Sequence, residues 1–349
     1  MDNIEFYLAD PKRTPADDQL LLLTQERKGI LVTNDVSLKV RAIALGVETE
    51  GYSWDGDYTG IYYLKSTDVP QEVYYSILAE LNESGKYECE DHTFSYNEYL
   101  VVPPYNEDAS NGDTSIFKYN GTTFDRVHFK TIPTNWLLKG HEIKPRNVEQ
   151  ICLFDAILNS QNKILYVGGP FGTGKTFSTH HYAINQLETG KIKKIIYVPN
   201  NSYTQNTMDL GALPGDLIEK VQPIIGPLID IVGIDQVLDW LRVGQVEIVP
   251  VAYIRGRNFT DSIVIVSEAE NLTEEHIKLL VGRCGEGTRI FFDGDIHQAD
   301  SAIFKDRNGL KLLLKLHESK ELSHIFATVQ LVRIERSEVA AAADYLDKL

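Results

Sequence analysis

The sequence predicts an α/β fold built around a parallel β-sheet, and two observations support this prediction. The first is a glycine-rich loop, GPFGTGKT at residues 169–176, placed between a short apolar stretch and a helical pattern. The second is a series of short apolar, β-branched segments, which are typical of buried strands. These segments are residues 163–167, 193–199, 246–251, 262–266 and 288–292. Hydrophobic residues make up 43% of the 349-residue chain, which is enough for a packed core.

The glycine-rich loop fits G-x-x-x-x-G-K-[ST], the pattern of phosphate-binding P-loops. Glycines let the backbone turn tightly and aim N–H groups at a phosphate, and the following helix adds partial positive charge at its N-terminus. Lys175 is expected to reach the β- and γ-phosphates of ATP, and the Thr176 hydroxyl to hold Mg²⁺. The alternative is a chance glycine-rich turn, which would not need the strand–loop–helix context. The eight predicted nucleotide-binding residues are Gly169, Pro170, Phe171, Gly172, Thr173, Gly174, Lys175 and Thr176.

The charge and the cysteine content of the chain argue against several classes of protein. The net charge of -16 argues against a generic nucleic-acid coat protein, although it leaves room for a local basic groove. Cys89, Cys152 and Cys284 form no C-x-x-C pair, so neither a zinc site nor a disulfide framework is expected. This cysteine usage suits the cytoplasm. No apolar run reaches the ~18 residues of a membrane span, and no membrane partner is expected.

Residues 1–52 are predicted to form one α/β unit, with a helix at 19–25 and a strand at 29–33. Asp18 begins the helix and Asp35 follows the strand, and carboxylates in such places can gather Mg²⁺ or Mn²⁺. The alternative is that Asp35 is an N-cap and Asp18 complements a helix dipole. Spacing alone favours this second interpretation.

Three segments of this unit, residues 14–18, 29–35 and 39–47, resemble the second half of a PIN nuclease domain. The resemblance implies that Asp18 and Asp35 belong to a metal-binding acidic cluster. The family's opening strand, with its first metal-binding aspartate, is expected upstream of Met1, so the domain is expected to be truncated. Completing the cluster would need another acidic ligand, such as Asp10 or a separate subunit. Nuclease activity is therefore not expected.

Residues 53–145 are predicted to form a small β-rich module and a linker. Aromatic and β-branched residues indicate strands at 58–64, 94–102 and 115–129, and helical spacing covers 70–81. The tyrosines and phenylalanines could stack on bases of a single strand, but they are more typical of strand and core residues. No chemistry is visible in this region.

Residues 146–349 form the third predicted domain, which contains the P-loop. Gln150, one helix upstream of the P-loop, could read the edge of adenine with its amide, or could be an ordinary surface residue. Arg255 and Arg257 flank a glycine, where two guanidinium groups could meet phosphates or lie in a solvated turn.

An acidic segment follows the apolar strand at 262–266, which is the Walker B position of a P-loop protein. The Walker B aspartate normally supports Mg²⁺, but Ser267 occupies its place here. Ser267 is expected to contact a metal-bound water only, which predicts weak ATPase activity unless Asp293 or Asp295 supplies the carboxylate. Glu268 fits the role of the catalytic acid or base.

Two further candidates follow the last apolar segments. Asp295 and Gln298 lie in a segment that resembles the sensor motif of superfamily 1 helicases, which implies that they respond to the γ-phosphate. Arg336 could stabilise transition-state charge as an arginine finger, or could make a surface ion pair.

Taken in order, these segments resemble the PhoH family of P-loop ATPases, and the segment ahead of them resembles PIN–PhoH fusions. The matching residues are 144–147 with Gln150, 169–176, 211–216 with 219–220, 255–257, 267–273, 294–295 with 298, and 335–339. The resemblance implies a RecA-like P-loop NTPase core, ATP hydrolysis with Mg²⁺, action on RNA, and a homo-oligomer, in the form of a ring.

The sequence therefore predicts an ATP-hydrolysing protein that acts on single-stranded RNA in the manner of a helicase or translocase. Arg336 would act across a subunit boundary. The rival interpretation is an ATP-binding regulatory scaffold with little hydrolysis, which Ser267 and the partial PIN segment favour. A small-molecule kinase is a third option.

Overall fold

The computed structural model of the chain divides into two compact units, Met1–Asp57 with Ser337–Leu349, and Tyr58–Arg336. Within them, the residues that the structure describes are 16–32, 42, 45–47, 49–50, 58–64, 69–90, 92–105, 114–134, 142–199, 217–298 and 308–335.

The small unit contains a helix and two short parallel strands. Helix α1 covers Ala16–Arg27, and β1 (Leu31–Val32) pairs with β2 (Thr49–Glu50). Its small core consists of Leu21, Leu31, Ala42 and Val47. The side chain of Asp18 and all of Asp35 lie outside the described residues, so the PIN-like interpretation of this segment stays a prediction.

The large unit is built on a six-stranded sheet in which every neighbouring pair is parallel. The strand order is β11–β10–β12–β13–β9–β14. In chain order the strands are β9 (Ile164–Gly168), β10 (Lys194–Val198), β11 (Val246–Ile248), β12 (Ser262–Val266), β13 (Arg289–Gly294) and β14 (Phe326–Gln330). The predicted α/β fold with a parallel sheet is confirmed.

Helices cover both faces of this sheet, because alternate strand residues point to opposite sides. The helices around this sheet are α3 (Val148–Leu158), α4 (Lys175–Glu188), α5 (Leu217–Val232), α6 (Ile234–Val243), α7 (Glu274–Val281) and α8 (Gly309–Leu314). Leu165, Ile265 and Phe291 share one apolar core with α3 and α4, whereas Tyr166, Val264 and Phe292 share another core with α7 and α8. None of the described helices is both long and apolar enough to cross a membrane.

The β-rich region forms a second sheet with the order β3–β4–β5–β6, packed against one helix. The predicted strand at 115–129 is in fact a hairpin. Its turn is made by Gly121, which has a φ of 95°, and by Asn120, whose side-chain oxygen accepts from the backbone N–H of Thr123. The elements are β3 (Ile61–Tyr63), α2 (Gln71–Glu83), β4 (Tyr99–Val102), β5 (Ser115–Tyr119) and β6 (Phe124–Arg126), followed by the small antiparallel pair β7 (Ile132–Pro133) and β8 (Glu142–Ile143).

Two buried side chains fasten this region to the six-stranded sheet. The amide of Asn97 donates to the carbonyl oxygen of Phe326 at 2.8 Å, at the start of β14. The carboxylate of Asp155 on α3 accepts from Tyr99 at 2.9 Å, Lys118 at 3.0 Å and Lys130 at 2.6 Å. Residues 58–336 therefore form one compact unit.

Candidate active site

A pocket of about 190 Å³ opens at the carboxyl ends of β9, β10, β12 and β13. This edge is where open α/β sheets bind their ligands. The pocket brings together eight residues singled out from the sequence as site residues, from segments far apart in the chain. They are Gly169, Phe171, Lys175, Thr176, Ser267, Glu268, Asp295 and Gln298.

The P-loop connects β9 to α4 with the geometry that its glycines predict. Gly169, Gly172 and Gly174 have φ values of 129°, 82° and 92°, which residues with a Cβ rarely adopt. A Cβ on Gly169 would also lie 2.1 Å from the carbonyl oxygen of Leu331. The loop therefore needs glycine for both its conformation and its packing.

Lys175, the first residue of α4, lies almost buried in the pocket, with 8% of its surface exposed. Its ammonium group donates to the carbonyl oxygens of Gly169 at 2.5 Å and Pro170 at 2.9 Å. It also lies 5.7 Å from the ring centroid of Phe171, which is 62% exposed. A positive charge is thus fixed inside the loop, where a bound phosphate would meet it.

Thr176 contacts a carboxylate from the neighbouring strand. Its hydroxyl donates to Oδ2 of Asp293, at the end of β13, over 2.7 Å. Asp293 is 5% exposed. Burial raises the pKa of this carboxyl, while the Lys175 ammonium and the Thr176 hydroxyl act in the opposite direction. From the sequence, Asp293 was expected only as one of two residues that could supply the carboxylate that Ser267 lacks.

Ser267 lies in a network of neutral polar groups. Its side chain interacts with the hydroxyl of Tyr197, which bonds Nε2 of the buried His180. Burial lowers the pKa of His180 to about 4, so the imidazole is neutral at physiological pH. Among the described residues, no charged side chain hydrogen-bonds to the hydroxyl of Tyr197 or to the imidazole of His180.

Two glutamates follow β12 into the pocket. Glu268 has a φ of 52°, an uncommon value for a residue with a side chain and one that clusters at functional sites. Glu270 is 5% exposed, and its carboxylate accepts from the backbone N–H of Asp295 at 3.2 Å. Burial raises the pKa of Glu270 to about 7.

Glu270 was missed by sequence reasoning. The signal that could have found it is its position two residues after Glu268, within the same acidic segment. Its burial could not be read from that spacing, because it depends on packing against the turn after β13.

Asp295 and Gln298 share that turn. Oδ1 of Asp295 accepts from the backbone N–H of His297 at 3.0 Å, and its carbonyl oxygen accepts from the backbone N–H of Gln298 at 2.9 Å. The turn places both side chains at the pocket, as a γ-phosphate sensor would require.

Gln150 lies behind the P-loop and is 6% exposed. Its amide nitrogen donates to the carbonyl oxygen of Thr173 at 2.9 Å, and its amide oxygen accepts from the backbone N–H of Arg146 at 2.8 Å. It does not line the pocket, and its described contacts support the loop.

Arg336 and residues 211–216 lie outside the described residues. The residue before Arg336, Glu335, contacts the P-loop and the residue that precedes α3. Its backbone N–H donates to the carbonyl oxygen of Gly172 at 2.9 Å, and its carboxylate accepts from Asn147 at 2.9 Å.

Comparisons with known proteins agree with this geometry. The family model described as "PhoH-like protein" matches residues 142–345, which is more than half of the chain. Protein PhoH2 of Bacillus subtilis (strain 168) is 28% identical over 342 residues, covering 92% of this chain and 73% of that protein.

Two other relatives match a shorter part of the chain. A PhoH-like protein of Bacillus subtilis (strain 168) is 35% identical over 51% of this chain and 55% of its own length. Protein PhoH of Escherichia coli (strain K12) is 35% identical over 45% of each. The chain thus spans about half the length of these two relatives. A solved structure described as "Complex structure of Arterivirus nonstructural protein 10 (helicase) with DNA" is 12% identical over 76% of this chain and 57% of that chain, with a TM-score of 0.28, too low to support an argument.

Proposed function

Because this chain belongs to the PhoH family, whose P-loop it carries in full, we propose that it is a Mg²⁺-dependent ATPase that acts on single-stranded RNA. The observation that supports hydrolysis best is the single pocket that joins Lys175 and Thr176 to Glu268, Asp295 and Gln298. Of these five residues, a site that only bound nucleotide would need Lys175 and Thr176 but not the other three.

The donor atoms around Thr176 suit magnesium, since hydroxyl and carboxylate oxygens are the ligands that Mg²⁺ prefers. Within the described residues, no three His, Cys, Asp or Glu side chains are grouped so that they could hold a metal ion. The ion would be held by nucleotide phosphates and the Thr176 hydroxyl, with the carboxylate of Asp293 beside them. When bound, it would offset charge on the β- and γ-phosphate oxygens.

The remaining groups act on the γ-phosphate and on water. Lys175 would contact the β- and γ-phosphates, and Glu268 would orient a water and accept its proton. Asp295 and Gln298 would report whether the γ-phosphate is present. Arg336 would supply positive charge from a neighbouring copy in a homo-oligomer.

Phosphate release and ATP binding test this proposal through Lys175→Ala. Loss of the buried ammonium should weaken ATP binding or lower turnover by roughly 100-fold or more. Lys193→Ala is the matched control, because Lys193 is an exposed lysine paired with Asp261 at 2.6 Å. Wild-type phosphate release by the Lys175 variant would refute the proposal.

A loop after β11 supports the RNA part of the proposal. Tyr253 is 62% exposed, and the neighbouring Arg255 is also exposed. Arg257 is engaged by Glu247 at 2.5 Å. An exposed aromatic ring and a guanidinium group two positions apart in sequence could stack on a base and contact a phosphate.

RNA binding by fluorescence anisotropy tests this loop. Affinity for single-stranded RNA should fall steeply with salt concentration, and Tyr253→Ala and Arg255→Ala should each weaken it about 5- to 50-fold. Arg242→Ala is the control, since Arg242 is an exposed arginine paired with Asp239. Absence of RNA binding at low salt would remove this part of the proposal.

A second candidate function, an ATP-binding scaffold, is favoured by Ser267 at the Walker B position. It predicts ATP binding without measurable phosphate release, with or without RNA. The contact of Asp293 with Thr176 weighs against it, because it places a carboxylate beside the P-loop hydroxyl.

A further inference from the structure

We propose that Asp293 performs the magnesium-supporting role that the Walker B aspartate performs in other P-loop NTPases. In this chain the carboxylate would then be supplied by β13, the strand next to β12. The inference rests on the proposed function. It depends on three observations: the register of two strands, the face on which the side chains lie, and the contact with Thr176.

The register makes Ser267 and Asp293 equivalent positions on adjacent strands. Val266, the last residue of β12, pairs with Phe292 of β13 in a parallel ladder. Ser267 follows Val266 and Asp293 follows Phe292, so the two residues lie at equivalent positions. Neighbouring strands lie about 4.8 Å apart. A carboxylate at 293 instead of 267 is thus displaced by one strand spacing, at the same height along the sheet.

The displacement is towards the P-loop. Strand β13 lies between β12 and β9, and Asp293 pairs with Val167 near the end of the P-loop strand. A residue on β12 is separated from β9 by one whole strand. Asp293 is therefore the nearer of the two positions to the loop.

Both side chains lie on the face that carries helix α4. Side chains alternate along a strand, so Asp293 shares a face with Phe291, and Ser267 with Ile265. Phe291 and Ile265 belong to the same apolar core as Ala183 of α4. Because α4 begins at the P-loop, this face is where a carboxylate can meet Thr176.

The contact with Thr176 completes the argument. The 2.7 Å hydrogen bond joins Asp293 to the hydroxyl that is expected to bind Mg²⁺. Ser267 is neutral and interacts with the side chain of Tyr197. Within the described part of the chain, Asp293 is the carboxylate hydrogen-bonded to Thr176. Asp295 and Glu270 are engaged with backbone N–H groups of the turn after β13.

A relocation experiment tests the inference directly. Three variants are compared with the wild type: Asp293→Asn, Ser267→Asp, and the double variant that carries both changes. The measurement is equilibrium binding of a fluorescent, slowly hydrolysed ATP analogue, titrated with Mg²⁺ and repeated in EDTA. Asp261→Asn is the matched control, because it removes an exposed carboxylate that does not line the pocket.

Asp293→Asn should raise the Mg²⁺ concentration for half-maximal binding at least about tenfold, with little change in EDTA. Asp261→Asn should leave it unchanged. In the double variant, the carboxylate at 267 should restore the Mg²⁺ requirement to within about threefold of the wild type. Thermal melting of each variant shows whether it is folded.

Two results would overturn the inference. An unchanged Mg²⁺ requirement in a folded Asp293→Asn variant would show that another group supports the ion. A wild type that binds the analogue in EDTA but shows no response to Mg²⁺ would also overturn the inference, because no residue would then be supporting the ion. If the wild type bound no analogue at all, the proposed function itself would fail, and the inference with it.

Discussion

A single buried carboxyl group, that of Glu188, makes the folding stability of this protein depend on pH. Glu188, in the last turn of α4, has both carboxylate oxygens buried without a hydrogen-bond partner among the described residues. Burial raises its pKa from 4.5 to about 7. A negative charge at the C-terminal end of a helix is also unfavourable because of the helix dipole.

We expect Glu188→Gln to stabilise the protein at pH 8 by roughly 1–2 kcal/mol, because the neutral amide avoids the cost of ionisation at this half-buried position, where solvent screens part of that cost. The pKa of Glu188 is raised in the folded state. The protonated carboxyl therefore contributes stability to the wild type that is fully present below about pH 4.5 and is lost as the pH rises through about 7. The gain should therefore vanish near pH 4.5. Denaturant unfolding at both pH values measures it, and an equal gain at both would contradict the assignment.

At the scale of elements, Asp155 joins α3 to the β-rich sheet. Burial alone would raise its pKa, but Lys118 and Lys130 outweigh burial, and the pKa lies below its usual value. This contact could not be predicted from the sequence, because Asp155 and Lys118 are 37 positions apart on elements whose packing depends on the whole fold.

Asp155→Asn should destabilise the protein by roughly 2–4 kcal/mol at pH 7, because it leaves the partly buried ammonium of Lys118 without its counter-charge. The control is Asp239→Asn, an exposed partner of Arg242, which should cost less than about 0.5 kcal/mol. Since the folded pKa is lowered, the contribution of Asp155 is present above the usual carboxyl pKa and is lost as the pH falls through the folded value. An equal effect of the two variants would refute the role of Asp155.

The elements also show what the sequence could predict. Five strands of the large sheet were predictable because they are short, apolar and β-branched, whereas β14 was not among the predicted segments. The P-loop was predictable because eight adjacent residues define it. The hairpin at Asn120 and Gly121 was missed, since aromatic residues continue on both sides of its turn. The contact of Thr176 with Asp293 could not be predicted from local pattern, because it depends on β13 lying between β9 and β12.

For the whole molecule, the central claim is that one pocket both binds and hydrolyses ATP. Glu268 and Glu270 enter it from the same segment, but they differ in environment. Glu270 is engaged by the backbone N–H of Asp295, and burial raises its pKa to about 7, so it is only about half ionised at pH 7, whereas Glu268 is the better candidate to act on water. The two residues therefore form a matched pair for testing catalysis apart from binding.

The most direct test compares ATP binding with phosphate release in the wild type, Glu268→Gln and Glu270→Gln. We predict that Glu268→Gln binds ATP within about threefold of the wild type but releases phosphate at least about 100-fold more slowly, because it can no longer accept a proton from water. Glu270→Gln should keep turnover within about tenfold. Wild-type phosphate release by Glu268→Gln, or ATP binding by the wild type without any phosphate release, would contradict the claim that this pocket hydrolyses ATP through Glu268.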